Sequence, residues 1–455
     1  MSRVFFVCAN RCVDPYPVYP MGMAVVSAAL AARGHEVRQF DLLSSGSDLA
    51  ALGATARAYA PDVVCYSLRN VDTEDSLDPN DFLLDADRAA IRTLREASGA
   101  PVVLGGSGFS LLPEALLEFL GADYGIVGEG ERAACELVDA LAAGKPCPRL
   151  AHSPAALPAA GIGCPRYDAA IVPYYFKESG LIGLQTKRGC PHACSYCSYP
   201  LIEGARVRHR DPREVVDDLE TLRRDFGVDN VFFTDSIFND AGGGHLTLAE
   251  ELVRRGTKIR WASFFRPQRL ERAQLRLLKK AGLYALELGT DAADDATLEA
   301  LGKGFTFDEV VRSAQACADE GLSVAHYVMF GGPGETPVTA ARGLANLKRL
   351  PTSVVFAYVG VRIYPATRLR QRAVQEGIIA EGDSLLRPTY YVSPGVRQPE
   401  LEAAITTAFR KRRHWIFPPS DLRIRQNVMH RFGFRGILWD QLLALDPGSA
   451  GTDKR

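Results

Sequence analysis

Apolar positions in the first third of the chain fall into short runs, separated by stretches of helical period. Residues 4–9, 37–41, 63–67, 102–105 and 124–127 read as strands. Between them, residues 23–33, 49–59, 85–97, 114–120 and 132–143 set apolar side chains three and four apart, the spacing of one buried helix face. Five βα repeats with short connections predict an α/β domain with a parallel, doubly wound sheet of flavodoxin-like type, because parallel strands need crossovers. Ligands of such sheets bind at the carboxyl ends of the strands. Glycines gather there: Gly105, Gly106 and Gly108 beside Ser107 after the fourth run, and Gly128 and Gly130 around Glu129 after the fifth. Tight βα turns also use glycine, so these residues alone are weak evidence of a ligand.

Residues 151–158 are rich in alanine and proline and lie in a linker, 148–177, without sustained period. A second alternation then begins, with strand-like runs at 181–186, 230–234, 259–264, 285–289, 323–330 and 354–362. Its first helix is announced by Asp211 as N-cap, Pro212 at the first helical position and Glu214 for a capping box. Six βα units predict an open, partial (β/α)6 barrel with its chemistry at the carboxyl ends of the strands. The tail turns aromatic and basic at Tyr390, Tyr391, residues 410–414 and Trp415, then reads as helical over 421–445. Four basic residues in a row are more often a solvated helix face than an anion clamp. The expected units are residues 1–147, a linker at 148–177, a barrel at 178–385 and a small helical and aromatic extension at 386–455, a candidate active-site cap.

The 455 residues are 47% hydrophobic and 24% charged, ordinary values for a globular protein. A net charge of −1 argues against a nucleic-acid partner. No run approaches the ~20 apolar residues of a membrane span, and the first residues resemble a strand, not a signal peptide. The expectation is a cytoplasmic protein. Its ten cysteines then imply metal ligation or buried thiols and not disulfides.

Three of those cysteines, Cys190, Cys194 and Cys197, are spaced C-x3-C-x2-C. A [4Fe–4S] cluster normally takes four thiolates, so this loop would leave one iron open to a small chelating ligand. A structural zinc site needs four protein ligands, usually in two pairs, and no second pair follows. With Tyr196 before the last cysteine, the loop resembles that of the radical S-adenosylmethionine (SAM) superfamily, and later strand ends match its landmarks in order. By that resemblance Asp235 and Ser236 stand at the second-strand end that binds the methionine ammonium of SAM. Asp291 takes the ribose position, where the family more often has glutamate, and residues 301–306 (LGKGFT) follow it. Pro333, Gly334 and Glu335, before Thr336, match the turn near adenine and the methionine end.

A doubly wound domain ahead of such a barrel resembles the cobalamin (B12)-binding subclass. The residues carrying this likeness are 16–22 before the first helix, 33–37 leading into the second strand, 104–107 and 125–131. They imply a cobalamin site at Ser67, Arg69, Gly105, Gly106, Ser107, Gly128 and Glu129. The loop at 10–15 lacks the histidine that many B12 domains present to cobalt. Arg69 cannot ligate; it either lies beneath cobalt or forms a salt bridge with Asp72 or Glu74. Cys8 and Cys12 read as ordinary thiols, and His192 as either an outer donor to the cysteine loop or an exposed side chain, not a fourth ligand. The resemblance implies a [4Fe–4S] cluster, SAM and cobalamin, an external electron donor such as flavodoxin or ferredoxin, and a small-molecule biosynthetic substrate. It implies a C-methyltransferase acting on an unactivated carbon: one SAM methylates the cobalamin, a second generates a radical, and the substrate radical takes the methyl group. Two alternatives stay open. One is hydrogen abstraction or rearrangement with cobalamin in another role or lost; the other is a non-enzymatic Fe–S carrier or sensor, against which the SAM landmarks argue. The sequence singles out no catalytic side chain.

Overall fold

The computed structural model, which describes residues 1–13, 16–78, 82–153, 156–410 and 412–444, contains two parallel sheets in series. The first holds β1 (Arg3–Cys8), β2 (Glu36–Asp41), β3 (Val63–Ser67), β4 (Val102–Gly105), β5 (Tyr124–Val127) and β6 (Leu150–His152), in the order β2-β1-β3-β4-β5-β6. Alternate residues of β1 serve opposite layers, as the strand period of two requires. Val4, Phe6 and Cys8 pack with Met23, Leu30 and Val138 of helices Met21–Ala32 and Gly130–Ala142. Phe5 and Val7 pack with Leu52 and Ile91 of helices Leu49–Tyr59 and Leu84–Ser98. The order reverses between β1 and β3, which opens a crevice above their carboxyl ends.

The second sheet begins with β7 (Ile182–Leu184). A two-residue strand, β8 (Lys187–Arg188), then pairs antiparallel with β9 (Arg208–His209) on either side of the cysteine loop. The sheet continues through β10 (Asn230–Phe233), β11 (Arg260–Phe265), β12 (Leu283–Asp291), β13 (Ser323–Phe330) and β14 (Val354–Val359). After β14 come β15 (Val361–Arg362), β16 (Tyr390–Tyr391) and β17 (Trp415–Ile416), and the parallel order is β17-β14-β13-β12-β11-β10-β7. The curved sheet therefore has seven strands where the hydrophobic pattern predicts six. Its extra strand, β17, is two residues long, too short to show a period, as is the three-residue β6 within the expected linker. The run at 354–362 is not one strand: Gly360 turns the chain with a positive φ of 78°, and β15 leaves to pair antiparallel with β16. The helical stretch expected at 421–445 is two helices, Ser420–Arg431 and Trp439–Ala444. Residue 445, Lys411 of the basic run and residues 14 and 15 of the histidine-free loop lie outside the described residues. Asp211 caps its helix as expected, accepting the Arg213 N–H at 2.8 Å.

One end of the barrel lumen is plugged. Ala262, Ala285 and Ala325 on three successive strands share a core with Phe232, Phe356, Ile437, Leu438 and Trp439. Their small side chains leave room for the indole of Trp439, which is fully buried. The tail crosses tightly under the first strand: a side chain at Gly180 would meet the Gly436 nitrogen at 2.5 Å, and Gly436 N–H donates to the Ser179 carbonyl at 2.8 Å.

The two sheets face each other through polar contacts at their carboxyl ends. From the loop after β3, Asp72 accepts from Arg362 at 2.8 Å, Glu74 from Tyr364 at 2.6 Å, and Ser76 donates to the Val359 carbonyl at 2.5 Å. Asp72 and Arg362 are both almost wholly buried. Removing one partner of such a pair strands the other charge, so Asp72→Ala should destabilise the protein by about 3–5 kcal/mol. The double variant with Arg362→Met should recover part of that loss in thermal denaturation. An unchanged melting temperature in Asp72→Ala would show that the pair does not hold the halves together.

Candidate functional site

The cysteine loop leaves β8 and returns through β9, so a hydrogen-bonded stem fixes both of its ends. Inside it, Ser195 N–H donates to the Leu301 carbonyl at 2.8 Å, and its own carbonyl accepts from Leu369 N–H at 2.8 Å. Arg368 donates to the Ala193 carbonyl. Gly302 is required here, since its φ is +71° and a side chain would meet the Ala193 oxygen at 2.9 Å. Cys190 is buried, Cys194 and Cys197 are half-buried, and all three thiols are free. Lys303 and Arg266 lie close enough to act electrostatically on Cys190, and Arg266 also reaches Cys194. Two cations beside three thiols suit an anionic cluster. His192 is a neutral bystander: burial, then the nearby arginines and Lys303, lower its pKa to about 4.

The expected SAM residues ring this loop but differ in what they offer. Ser236 Oγ faces the Gly189 carbonyl at 3.5 Å. Asp235 is fully buried and accepts from Thr186 N–H and Oγ–H at 2.7 and 2.5 Å and from Lys187 N–H at 3.3 Å. It fastens β10 to the end of β7. Asp291, at a positive φ of 61°, accepts from both Lys303 and Tyr196. Its carboxylate thereby ties β12 to the cysteine loop. Burial alone would lower the Lys303 pKa, but Asp291 more than reverses this and keeps the ammonium charged. Glu335 closes on its own turn, accepting from Gly331 N–H. Burial pushes its pKa up to about 7 against that contact. Gly334 is exposed with φ +74°, and Pro333 precedes it, so this turn presents its backbone outward.

A cavity of about 460 Å³ lies between the two mouths and opens beside this loop. Its first-sheet wall includes Ser67, Arg69, Gly105, Gly106, Ser107, Gly128 and Glu129, all expected at a cobalamin site. A side chain at Gly22 would meet nothing within 4 Å, and one at Gly105 nothing nearer than 3.9 Å; both would project into the opening. At Gly106 a side chain would strike the Leu68 oxygen at 2.4 Å. Glycine thus keeps this wall bare, a surface that fits a large flat ligand. Glu129 is a correction in part: it borders the cavity, but its carboxylate accepts from Arg208 at 2.8 and 3.0 Å, from Leu157 N–H at 2.5 Å and from Arg188 at 3.3 Å. Arg69 has no salt bridge to Asp72 or Glu74, whose partners are Arg362 and Tyr364. Its guanidinium donates to the neutral Asn70 side chain at 2.9 Å and lines the cavity. No histidine lines the cavity among the described residues. Cys8 does, yet burial first and then Asp41 push its thiol well up, so it stays protonated.

Across from the glycines stand Tyr16, Phe232 and Phe264, with Phe232 and Phe264 edge to face at 4.9 Å between centroids. Motif reasoning missed Lys303 and Arg266 as neighbours of the cysteines, although Lys303 sits in the LGKGFT stretch and Arg266 directly follows β11. It also missed Glu287, a carboxylate buried in the barrel lumen.

Single replacement of Cys190, Cys194 or Cys197 by alanine should abolish the four-iron cluster and leave the fold intact, since each thiolate holds one iron. Iron and sulfide content with circular dichroism checks this, and a retained four-iron cluster in any variant sinks the assignment. Asp291→Ala should leave Lys303 buried without its partner, at a cost of about 3–5 kcal/mol, and should release iron faster than wild type under chelator challenge. Equal rates of iron loss would mean that the tie is dispensable.

Comparison with known proteins agrees with this geometry. The radical SAM superfamily model matches residues 184–341 and the B12 binding domain model residues 11–138. The chain is 28% identical over 437 residues to the tryptophan 2-C-methyltransferase of Streptomyces laurentii, covering 79% of this chain and 73% of the relative. It is 23% identical over 376 residues to an uncharacterized methyltransferase of Pyrococcus horikoshii, covering 79% of each. The structure of the radical SAM methyltransferase TsrM from Kitasatospora setae, with tryptophan and a SAM analogue bound, superposes with a TM-score of 0.86 over 97% of both chains at 23% identity. OxsB, a cobalamin-dependent SAM radical enzyme, gives 0.70 over 95% of this chain and 71% of its own. The motifs, both family models and the shared fold point one way: the chain joins a B12 binding domain at residues 11–138 to a domain of the radical SAM superfamily at residues 184–341, and the cofactors those domains imply are a [4Fe–4S] cluster, SAM and cobalamin.

Proposed function

We propose that this cobalamin-dependent radical SAM methyltransferase places a methyl group on a carbon atom of an aromatic small molecule, with L-tryptophan as the first compound to test. The observation that carries the proposal is the cavity between the two sheet mouths, with a glycine-bare wall on one side and Tyr16, Phe232 and Phe264 on the other. When bound, the cluster, SAM and cobalamin supply methyl activation and carriage; this chain's residues position, desolvate and charge-balance those groups. The bare wall with Ser67 and Ser107 would hold the corrin, while Ser236 and the Pro333–Gly334 turn would flank SAM beside the cysteine loop. Aromatic walls suit a planar substrate through edge and face contacts. The 28% identical relative is named for tryptophan, which motivates the choice of probe.

Reduction of the cluster calls for a one-electron donor of the flavodoxin or ferredoxin kind. All ten cysteines are free thiols, in keeping with a reducing, cytoplasmic setting. Among the described residues no helix is long and apolar enough to cross a membrane.

Arg69 gives the cobalamin reading its own test. A guanidinium beneath cobalt offers no electron pair, and among the described residues neither a histidine nor a free thiolate lines the cavity. Paramagnetic resonance of the cobalt(II) form should therefore show no splitting from an axial nitrogen. A clear nitrogen triplet would refute the donor-free lower face. Incubation of the reconstituted enzyme with methyl-labelled SAM and tryptophan should yield a carbon-methylated product by mass spectrometry. Product from another aromatic metabolite only would replace the substrate and keep the reaction; absence of methylated cobalamin would remove the reaction itself.

A further inference from the structure

Glu287 lies in the middle of β12 with 1% of its surface exposed, and neither the cluster nor the SAM landmarks use it. Its carboxylate accepts from Trp439 Nε1 at 2.9 Å and from the Tyr327 hydroxyl at 3.1 Å. The Tyr16 hydroxyl also reaches it. Tyr16 lines the cavity, so this phenol stands between the cavity and a carboxylate closed to solvent. Phe232 packs against Tyr16 at 6.1 Å between ring centroids, and Phe264 is the register neighbour of Glu287 in the sheet. The carboxylate is therefore underneath the aromatic wall, with one hydroxylated opening through it.

We propose that Tyr16 and Glu287 form a proton-accepting relay for the substrate bound in this cavity. The inference rests on the methyl-transfer reading above. When a methyl group is delivered without its bonding electron pair, the substrate supplies the pair and one proton must leave. Tyr16 takes that proton from the substrate as it releases its own to Glu287: the substrate's bond to hydrogen breaks, one O–H bond forms and breaks on Tyr16, and one forms on Glu287. No external oxidant or reductant enters. The relay's surroundings suit the task. Tyr327 from β13 and Trp439 from the tail donate to Glu287, and the Tyr16 hydroxyl, from the loop before the first helix, lies close enough to act on it. Tyr284 and Tyr358 feel its charge from further away, and Arg69 acts on Tyr16 from the cavity side. Burial pushes the Glu287 pKa up to about 7 against the pull of Trp439, Tyr327 and Tyr16, which poises it for proton exchange near neutral pH.

The signs for function and stability are opposite. Acceptance needs the ionised form, so the transfer rate should fall about tenfold per pH unit below about 7. The raised pKa favours the protonated group in the folded state. The stability it confers is full below the unfolded value of about 4.3 and is lost as pH rises through about 7. Glu287→Gln should remove that slope, and its melting temperature relative to wild type should climb between pH 5 and pH 8.

The decisive measurement needs no turnover. Infrared difference spectra of the holoenzyme between pH 5 and pH 9 should show a protonated carboxyl stretch lost with a midpoint near 7. Glu335 contributes to the same band, so Glu287→Gln should remove the Glu287 share and leave that of Glu335, and in Tyr16→Phe the midpoint of the Glu287 share should rise. A band absent from wild type, or unaltered in Glu287→Gln, overturns the relay. With tryptophan as probe, methyl loading onto cobalamin and its later transfer are read separately by visible absorbance, and transfer is measured from enzyme already loaded. From the loaded state both variants should transfer the methyl group at least tenfold more slowly than wild type, and Glu287→Gln should lose the acidic limb of the rate profile. Normal transfer with that limb intact overturns the relay alone; failure of the wild type to load methyl overturns the methyl-transfer reading, while the infrared band still reports on the carboxyl by itself.

Discussion

Two guanidiniums clamped on one carboxylate hold the site together. Glu129, at the end of β5, binds Arg208 through both oxygens and Arg188 through one, and Arg188 also reaches Glu131 at 2.5 Å. Arg188 and Arg208 are paired across the base of the cysteine loop. An ion network at one strand end of the first sheet thus sets the height of the cysteine loop over the second. Burial works against the Glu129 charge, but Arg208, Leu157 N–H and Arg188 together outweigh it and hold the carboxyl below its ordinary range. On the far side, Asp72 and Arg362 repeat the arrangement with one pair. Between these clamps the chain keeps an opening that neither sheet could maintain alone.

Around the cysteines the arrangement is electrostatic as well as steric. Lys303 is enclosed, yet Asp291 keeps it charged, and its positive field falls on Cys190 together with that of Arg266. Backbone groups of Ala193 and Ser195 are meanwhile tied to Arg368, Leu369 and Leu301. Three thiols are thereby held ready before any metal arrives, on strand ends and short turns instead of a free loop. Rigid support of this kind is what a redox centre needs to keep its ligands from rearranging.

Much of this was legible in the chain. The period of the apolar runs marked both sheets, and the strand-end glycines Gly105, Gly106 and Gly128 line the cavity. Side-chain roles were harder to read. Asp235, Asp291, Glu129 and Glu335 stand where motifs put them, but their carboxylates are already occupied: by Thr186, Lys303 and Arg208 across long sequence distances, and by Gly331 N–H within the turn. Sequence distance hides such partners. The short strands β6 and β17 carry too few residues for a period and are defined by pairing alone. Glu287 looked like any strand residue, and only the closure of the barrel around it reveals its isolation.

The indole of Trp439 joins residues 152 positions apart by reaching Glu287. It fills the lumen over three alanines, and it also dries and orients the carboxylate beneath the cavity. The tail that closes the lower end of the lumen therefore also supplies one of the donors that surround the carboxylate, so closure of the barrel and the surroundings of Glu287 depend on the same side chain.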